Sequence, residues 1–252
     1  EKADGQIMHG DVDIYKDYDQ MKNKIGYVPQ QDLLQENDTV FKTVESAADM
    51  RMPRGTSAEA KEARIAEAFA CGLKTVGENH AQEVRDKLTF YKQYQAELHF
   101  IGQLQSNKVK YIIGNARLIQ SADREKLLVD IDAHGKKLGV VQGVLLQVNI
   151  GGEAQKGGAN LQDVPYLLEL ACGLKNLRVE GFMCVPPDVD AEAARPYFAR
   201  LYELRERYGA MFPELPLKEL SMGMSHDYPQ AILEGATMVR VGTAIFGRRN
   251  KL

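Results

Sequence analysis

From Ser57 onward, short apolar runs alternate with helix-length amphipathic stretches, and this rhythm constrains the fold of the 252-residue chain more than any other feature. Thr56 or Ser57 is suited to cap a first helix in which Ala63, Ile65, Ala66 and Phe69 recur at helical spacing, and Gly72 is placed to end it. Thr75–Gly77 then reads as a short buried strand, followed by Leu98–Gly102, Arg117–Gln120, Val144–Ile150, Val179–Cys184, Leu217–Ser221 and Thr237–Gly242. Helices are expected between them, near 80–94, 107–113, 161–172, 191–208 and 228–233, with another that Asp123 caps and that runs to Leu138. Parallel strands need a crossover of helix length, so strict alternation predicts a parallel sheet covered by helices. The expected fold is therefore α/β, a (β/α)8 TIM-type barrel whose first strand is absent or substituted.

Composition excludes several classes of function. Thirty-two basic against 35 acidic residues leave a formal net charge of −3, which gives no electrostatic basis for binding nucleic acid or an anionic membrane. No window approaches the roughly 18 apolar residues of a membrane helix. The opening Glu1-Lys2-Ala3-Asp4 carries no signal-peptide pattern. Cys71, Cys172 and Cys184 show no Cys-x-x-Cys spacing and read as free thiols in a reducing cytoplasm, and the scattered histidines supply no zinc cluster. No metal is expected.

In such a barrel, reactive groups lie just beyond the C-terminal ends of the strands. Those positions hold Gly77-Glu78-Asn79, the segment 102–108, Ser121-Ala122-Asp123, the segment 151–158, Val185-Pro186-Pro187, Gly223-Met224-Ser225 and Gly242-Thr243. Small, amide and hydroxyl residues dominate, as a polar pocket for a phosphorylated ligand requires. The last two strands occupy the place where barrels commonly bind phosphate. Glycines there let the backbone come close, amides form an anion nest, and the Ser225 and Thr243 hydroxyls add donors. Taken structurally, the same glycines serve only to permit tight turns.

Three segments, 99–108, Ser221-Met222-Gly223-Met224-Ser225 and 239–247, together with Gly77-Glu78-Asn79 and Lys156-x-Gly158, resemble the pyridoxal-phosphate homeostasis family. The resemblance covers about residues 66–252 and implies an alanine-racemase-type N-terminal barrel that binds pyridoxal 5′-phosphate (PLP). It further implies that Ser225, Gly242 and Thr243 hold the phosphate, beside Gly223 and Met224, and that Arg240 faces the pyridine nitrogen. Asn79 would lie near the ring hydroxyl edge, while His99, Asn107 and Lys108 would line the mouth. For Arg240 the alternative is an inward ion pair, for His99 a satisfied core histidine, and for Lys108 and Lys156 a solvated loop charge. A guanidinium cannot give the ring nitrogen a proton, so strong carbanion chemistry is not expected.

Residues 1–65 break the pattern. Around Lys24–Gln30 they resemble the Q-loop region of an ABC transporter nucleotide-binding subunit, without a phosphate-wrapping loop to bind ATP. They are read as a fragment, not a complete domain. The family's Schiff-base lysine belongs about twenty residues before Gly77, where no strand is expected. Lys42, in Phe41-Lys42-Thr43, is the sole candidate, and its pattern fits a solvated helix face better. The sequence thus points to a PLP carrier or homeostasis protein with an impaired or non-covalent site, serving acceptor apo-enzymes as a monomer or weak dimer, and not to an enzyme. A non-functional chimera or interaction module is the alternative. An amino-acid racemase would need a further catalytic acid/base, and none is expected in the few residues after Phe246-Gly247.

Overall fold

The computed structural model describes residues 8–9, 12–13, 58–70, 72–153 and 155–246. Two compact units divide the chain, Glu1–Glu36 and Asn37–Leu252. In the first, β1 (Met8–His9) pairs antiparallel with β2 (Val12–Asp13). The proposed caps Thr56 and Ser57, the Q-loop-like stretch and Lys42 lie outside the described residues.

In the second unit, α1 (Ala58–Ala70) leads to β3 (Thr75–Glu78), α2 (Ala81–Gln93) and β4 (Glu97–Phe100). A 3-10 turn (Ser106–Lys108) and α3 (Val109–Ile112) precede β5 (Leu118–Ala122), α4 (Glu125–Leu138) and β6 (Gln142–Gln147). Next come α5 (Val164–Cys172), β7 (Leu177–Met183), α6 (Ala191–Met211) and β8 (Glu219–Met224). The described residues end with α7 (Tyr228–Leu233), β9 (Met238–Arg240) and α8 (Thr243–Phe246). The seven strands β3 to β9 form one sheet in sequence order, each parallel to the next. Among the described residues no strand precedes β3 in that sheet.

Two apolar layers explain why the central strands read as nearly unbroken hydrophobic runs. Helix faces bearing Leu127, Leu128 and Ile131, Leu167 and Leu168, and Phe198 and Leu201 pack with Ile119, Val144, Leu146, Val179 and Phe182 in the main core. Strand neighbours point to opposite faces. Leu118, Leu145 and Met183 therefore form a separate cluster, with Val185 and Met238 against it. Gln120 of β5 bonds Ser221 of β8 at 2.7 Å although β6 and β7 lie between them in the sheet. That contact requires the sheet to curl on itself, so this second cluster is the barrel interior.

Charge closes the N-terminal end. Arg117 donates to Glu180 from both terminal nitrogens, at 3.0 and 2.9 Å, and Arg178 reaches the same carboxylate at 2.6 Å. A Cβ at Gly143 would come within 2.6 Å of Glu180 Oε1 and 2.7 Å of Arg117 Nη1, so only glycine leaves room for this cluster.

Two local expectations need correction. Asp123 does not cap α4: the cap residue is Arg124, and Asp123 instead binds the Arg124 guanidinium at 2.5 Å. Strand β8 does not stop at Ser221 but continues to Met224. Its pairing with β9 shifts register between Ser221 and Met224, where Gly223 adopts φ +89°, a bulge that keeps the strand paired beyond the point expected for a turn. Among the described residues no helix is long and apolar enough to cross a membrane, and no group of His, Cys, Asp and Glu could hold a metal.

Candidate functional site

The loops leaving β8 and β9 meet. The backbone N–H groups of Gly242 and Ala244 both donate to the hydroxyl oxygen of Ser225, at 3.2 and 3.3 Å. Two amides aimed at one oxygen form the kind of concave donor set that accepts an anion. The space beside Gly242 is open, since an added Cβ would meet nothing within 4 Å. Gly242 and Thr243 are exposed, and Met224 and Ser225 are half-buried, so a ligand can reach the turn. Gly223 lies buried beneath it, where a Cβ would stand 2.6 Å from Ala231 Cβ and 3.0 Å from Tyr228 Cα.

Asp227 locks this turn from below. Its carboxylate is fully buried and accepts the Met224 amide at 2.6 Å, just ahead of α7. The second oxygen, Oδ2, lies 3.3 Å from His226 Nε2 and makes no hydrogen bond with a described residue.

Arg240 ends β9 one residue before the turn begins. Its Nη1 donates to Ser221 Oγ and its Nη2 to the Cys184 carbonyl, both at 2.7 Å. The ends of β7, β8 and β9 are thereby tied by one guanidinium. No described carboxylate pairs with it, so the inward ion pair is not what forms. Burial lowers the guanidinium pKa from its ordinary value, yet the group stays protonated.

The other expected residues divide into two sets. Asn79 is exposed after β3, and its carbonyl sits where a Cβ on Gly102 would come within 2.0 Å, so the two loops pack closely. Asn107 and Lys108 are exposed on the 3-10 turn, with Lys108 Nζ 5.8 Å from the centre of the Tyr111 ring. His99 does not line the mouth. It is 6% exposed inside the barrel, 2.9 Å from both Gln120 Nε2 and Glu97 Oε1. Burial holds its pKa below the usual histidine value, outweighing the nearby Glu97 carboxylate. Lys156 is not simply a solvated charge either. It is half-buried, donates to the Pro186 carbonyl at 2.7 Å and pairs with Glu153 at 2.8 Å, closing the loop after β6 onto the loop after β7.

Gln120, Ser221 and Asp227 escaped the sequence reading as site residues. A polar side chain within an apolar parallel strand, as in Leu118-Ile119-Gln120, was the available signal, because both faces of such a strand are buried.

The family model described as the alanine racemase N-terminal domain matches residues 58–250. The chain belongs to this family. Within it, a pyridoxal phosphate homeostasis protein of Aquifex aeolicus (strain VF5) is 46% identical over 186 residues, covering 73% of this chain and 81% of that protein. The protein of the same description from Pseudomonas aeruginosa is 41% identical over 189 residues, covering 75% and 80%. Likeness of this extent places the chain among the pyridoxal phosphate homeostasis proteins.

Solved structures agree. PipY of Synechococcus elongatus PCC7942 without PLP superposes with a TM-score of 0.70 at 34% identity, covering 74% of this chain and 87% of that one. The PipY structure with PLP bound gives a TM-score of 0.67 at 29% identity, covering 82% and all 100% of that chain. The family match begins at residue 58, and the comparisons do not support the ABC-transporter resemblance of the residues before it.

Proposed function

We propose that this family member binds pyridoxal 5′-phosphate at the C-terminal mouth of the barrel, in a homeostasis role rather than as an enzyme. The observation that carries the reading is the convergence of the Gly242 and Ala244 amides on Ser225. The likeness to PipY, whose structure holds PLP, supports it.

The residues present fit the cofactor. Ser225, Gly242 and Thr243 would hold the phosphate, with Gly223 and Met224 shaping the turn. Arg240 would face the pyridine nitrogen, Asn79 would lie near the ring hydroxyl edge, and Asn107 would line the mouth. His99 acts from inside the barrel. Bound PLP would supply an electron-withdrawing ring, and Arg240, whose guanidinium cannot give the ring nitrogen a proton, would leave that ring a weak electron sink.

Every lysine with a described side chain is exposed or half-buried, and the half-buried Lys87 and Lys156 are both occupied by carboxylates. We infer that the site holds its ligand through phosphate contacts, with Lys42, outside the described residues, as the candidate for covalent attachment. The binding unit is the barrel, about residues 66–252 as read from the sequence and 58–250 by the family match. PLP held reversibly can be passed to acceptor apo-enzymes by a cytoplasmic monomer or weak dimer.

Absorbance and thermal melting under PLP titration test the reading, because a ligand that binds only the folded state raises the melting temperature. A rise that saturates with PLP is expected, and none would refute it. Borohydride reduction with peptide mapping then separates attachment at Lys42 from binding without attachment.

A further inference from the structure

A single file of hydrogen bonds crosses the barrel interior. It runs from Arg240 Nη1 to Ser221 Oγ at 2.7 Å, to Gln120 Oε1 at 2.7 Å, from Gln120 Nε2 to His99 Nδ1 at 2.9 Å, and from His99 Nε2 to Glu97 Oε1 at 2.9 Å. Three of its members, His99, Gln120 and Ser221, are buried, and four strands contribute. The file begins at the mouth and ends at the N-terminal edge of β4.

Its chemistry allows only one direction. Arginine has donors and no acceptor, so Ser221 Oγ must accept from it and is left one proton to give. Gln120 receives that proton on its carbonyl oxygen, which turns its NH2 toward His99. An NH2 group only donates, so Nδ1 must be bare and the imidazole proton must sit on Nε2, facing Glu97. An ionised carboxylate only accepts, which is what the last position requires. With the amide turned over, Ser221 Oγ would face two donors and its own proton would have no acceptor in the file.

We propose that Gln120 and His99 are positioning residues for Arg240, fixing the Ser221 hydroxyl as an acceptor and so holding the guanidinium in place at the ligand mouth. Among the described residues, two of the five guanidinium N–H groups are committed, to Ser221 and Cys184, which leaves three for a ligand. Protonating His99 would set a second donor against the Gln120 NH2 and break the file at its middle. The charges around His99 are Glu97 on its own strand, Arg117 at the start of β5 and Glu180 on β7, with Arg240 at the far end of the file. Burial, not these charges, dominates and keeps the ring neutral.

The effect on PLP rests on the function proposed above, whereas the file itself is read without ligand. In the full chain labelled with 15N, long-range spectra should show His99 protonated at Nε2 and bare at Nδ1, and Arg240 Nη signals should be resolved. Gln120→Leu should lose those Arg240 signals and weaken PLP binding about tenfold or more, the scale of a hydrogen bond to a charged group. Gln120→Glu keeps an acceptor for Ser221 and sets a carboxylate oxygen against His99 Nδ1. It should raise the His99 pKa and leave Arg240 resolved and PLP binding within about threefold of the parent.

Protonation at Nδ1 in the parent would overturn the proposal. So would unchanged Arg240 signals in folded Gln120→Leu; if that variant does not fold, the tautomer and the Gln120→Glu shift decide. A parent that shows the expected tautomer and Arg240 signals but binds no PLP would sink the functional reading and leave the file standing.

Discussion

The Gly242 amide donates to the Ser225 hydroxyl across 3.2 Å, so the loops after β8 and β9 share one acceptor. The Ala244 amide joins them at 3.3 Å. Each loop alone is an ordinary small-residue turn. Held together, they aim a set of donors at one place, which is what a phosphoryl group needs.

Replacing Ser225 with alanine should weaken PLP binding about tenfold or more and change stability by no more than about 1 kcal/mol. The amides it releases border solvent and can bond water, so their loss costs little in the absence of ligand. PLP titration and urea unfolding measure the two effects separately.

Gly223→Ala should act through the fold instead. The new methyl would lie 2.6 Å from Ala231 Cβ on backbone at φ +89°, so crowding and strain act together. A loss of about 2–4 kcal/mol in denaturant unfolding is expected, with PLP binding reduced because β8 no longer delivers Ser225 to the cradle.

His99 should make folding weaken as the pH drops. Its folded pKa lies below the ordinary 6.5 because burial disfavours the charged ring. Between the two values the unfolded chain binds more protons than the folded one, so stability rises with pH in that window. Acidification from pH 7 through 6.5 should cost the parent stability relative to His99→Asn, and the difference should level off below the folded pKa. Urea unfolding of both proteins at stepped pH gives the test; a difference that does not change with pH would exclude it.

The two described cysteines should resist alkylation. Burial pushes the Cys184 thiol to about 12, and burial followed by the Glu214 hydrogen bond pushes Cys172 to about 11. Thiolates are the reactive form, so at pH 8 both should react with iodoacetamide at least about a hundredfold more slowly than in unfolded chain. Peptide mass spectrometry of native and denatured protein reports the ratio at each position.

Much of the fold was legible because its information is local. The short helix expected near 228–233 forms as α7 at those bounds, and each of the seven expected strands overlaps a strand of the sheet. That the small residues of Gly223–Ser225 and Gly242–Thr243 gather at the strand ends could likewise be read from residue type. The extension of β8 past Ser221 could not, since Gly223 signals a turn and a bulge equally well, and only pairing with β9 chooses between them. Asp123 failed as a cap for a similar reason: Arg124 offered its carboxylate a charged partner.

The amino-acid order alone set strand and helix identity, their alternation and therefore a parallel sheet with its small-residue loops at one end. It could not reveal that Gln120 meets Ser221 across 101 positions of sequence, or that His99 turns inward to join them. Side-chain alternation gives each strand two faces, but local sequence does not say which residues of distant strands will oppose one another. Curling of the sheet makes that selection, because it brings β4 and β5 across a shared interior from β8 and β9. There, buried polar groups must find partners among themselves.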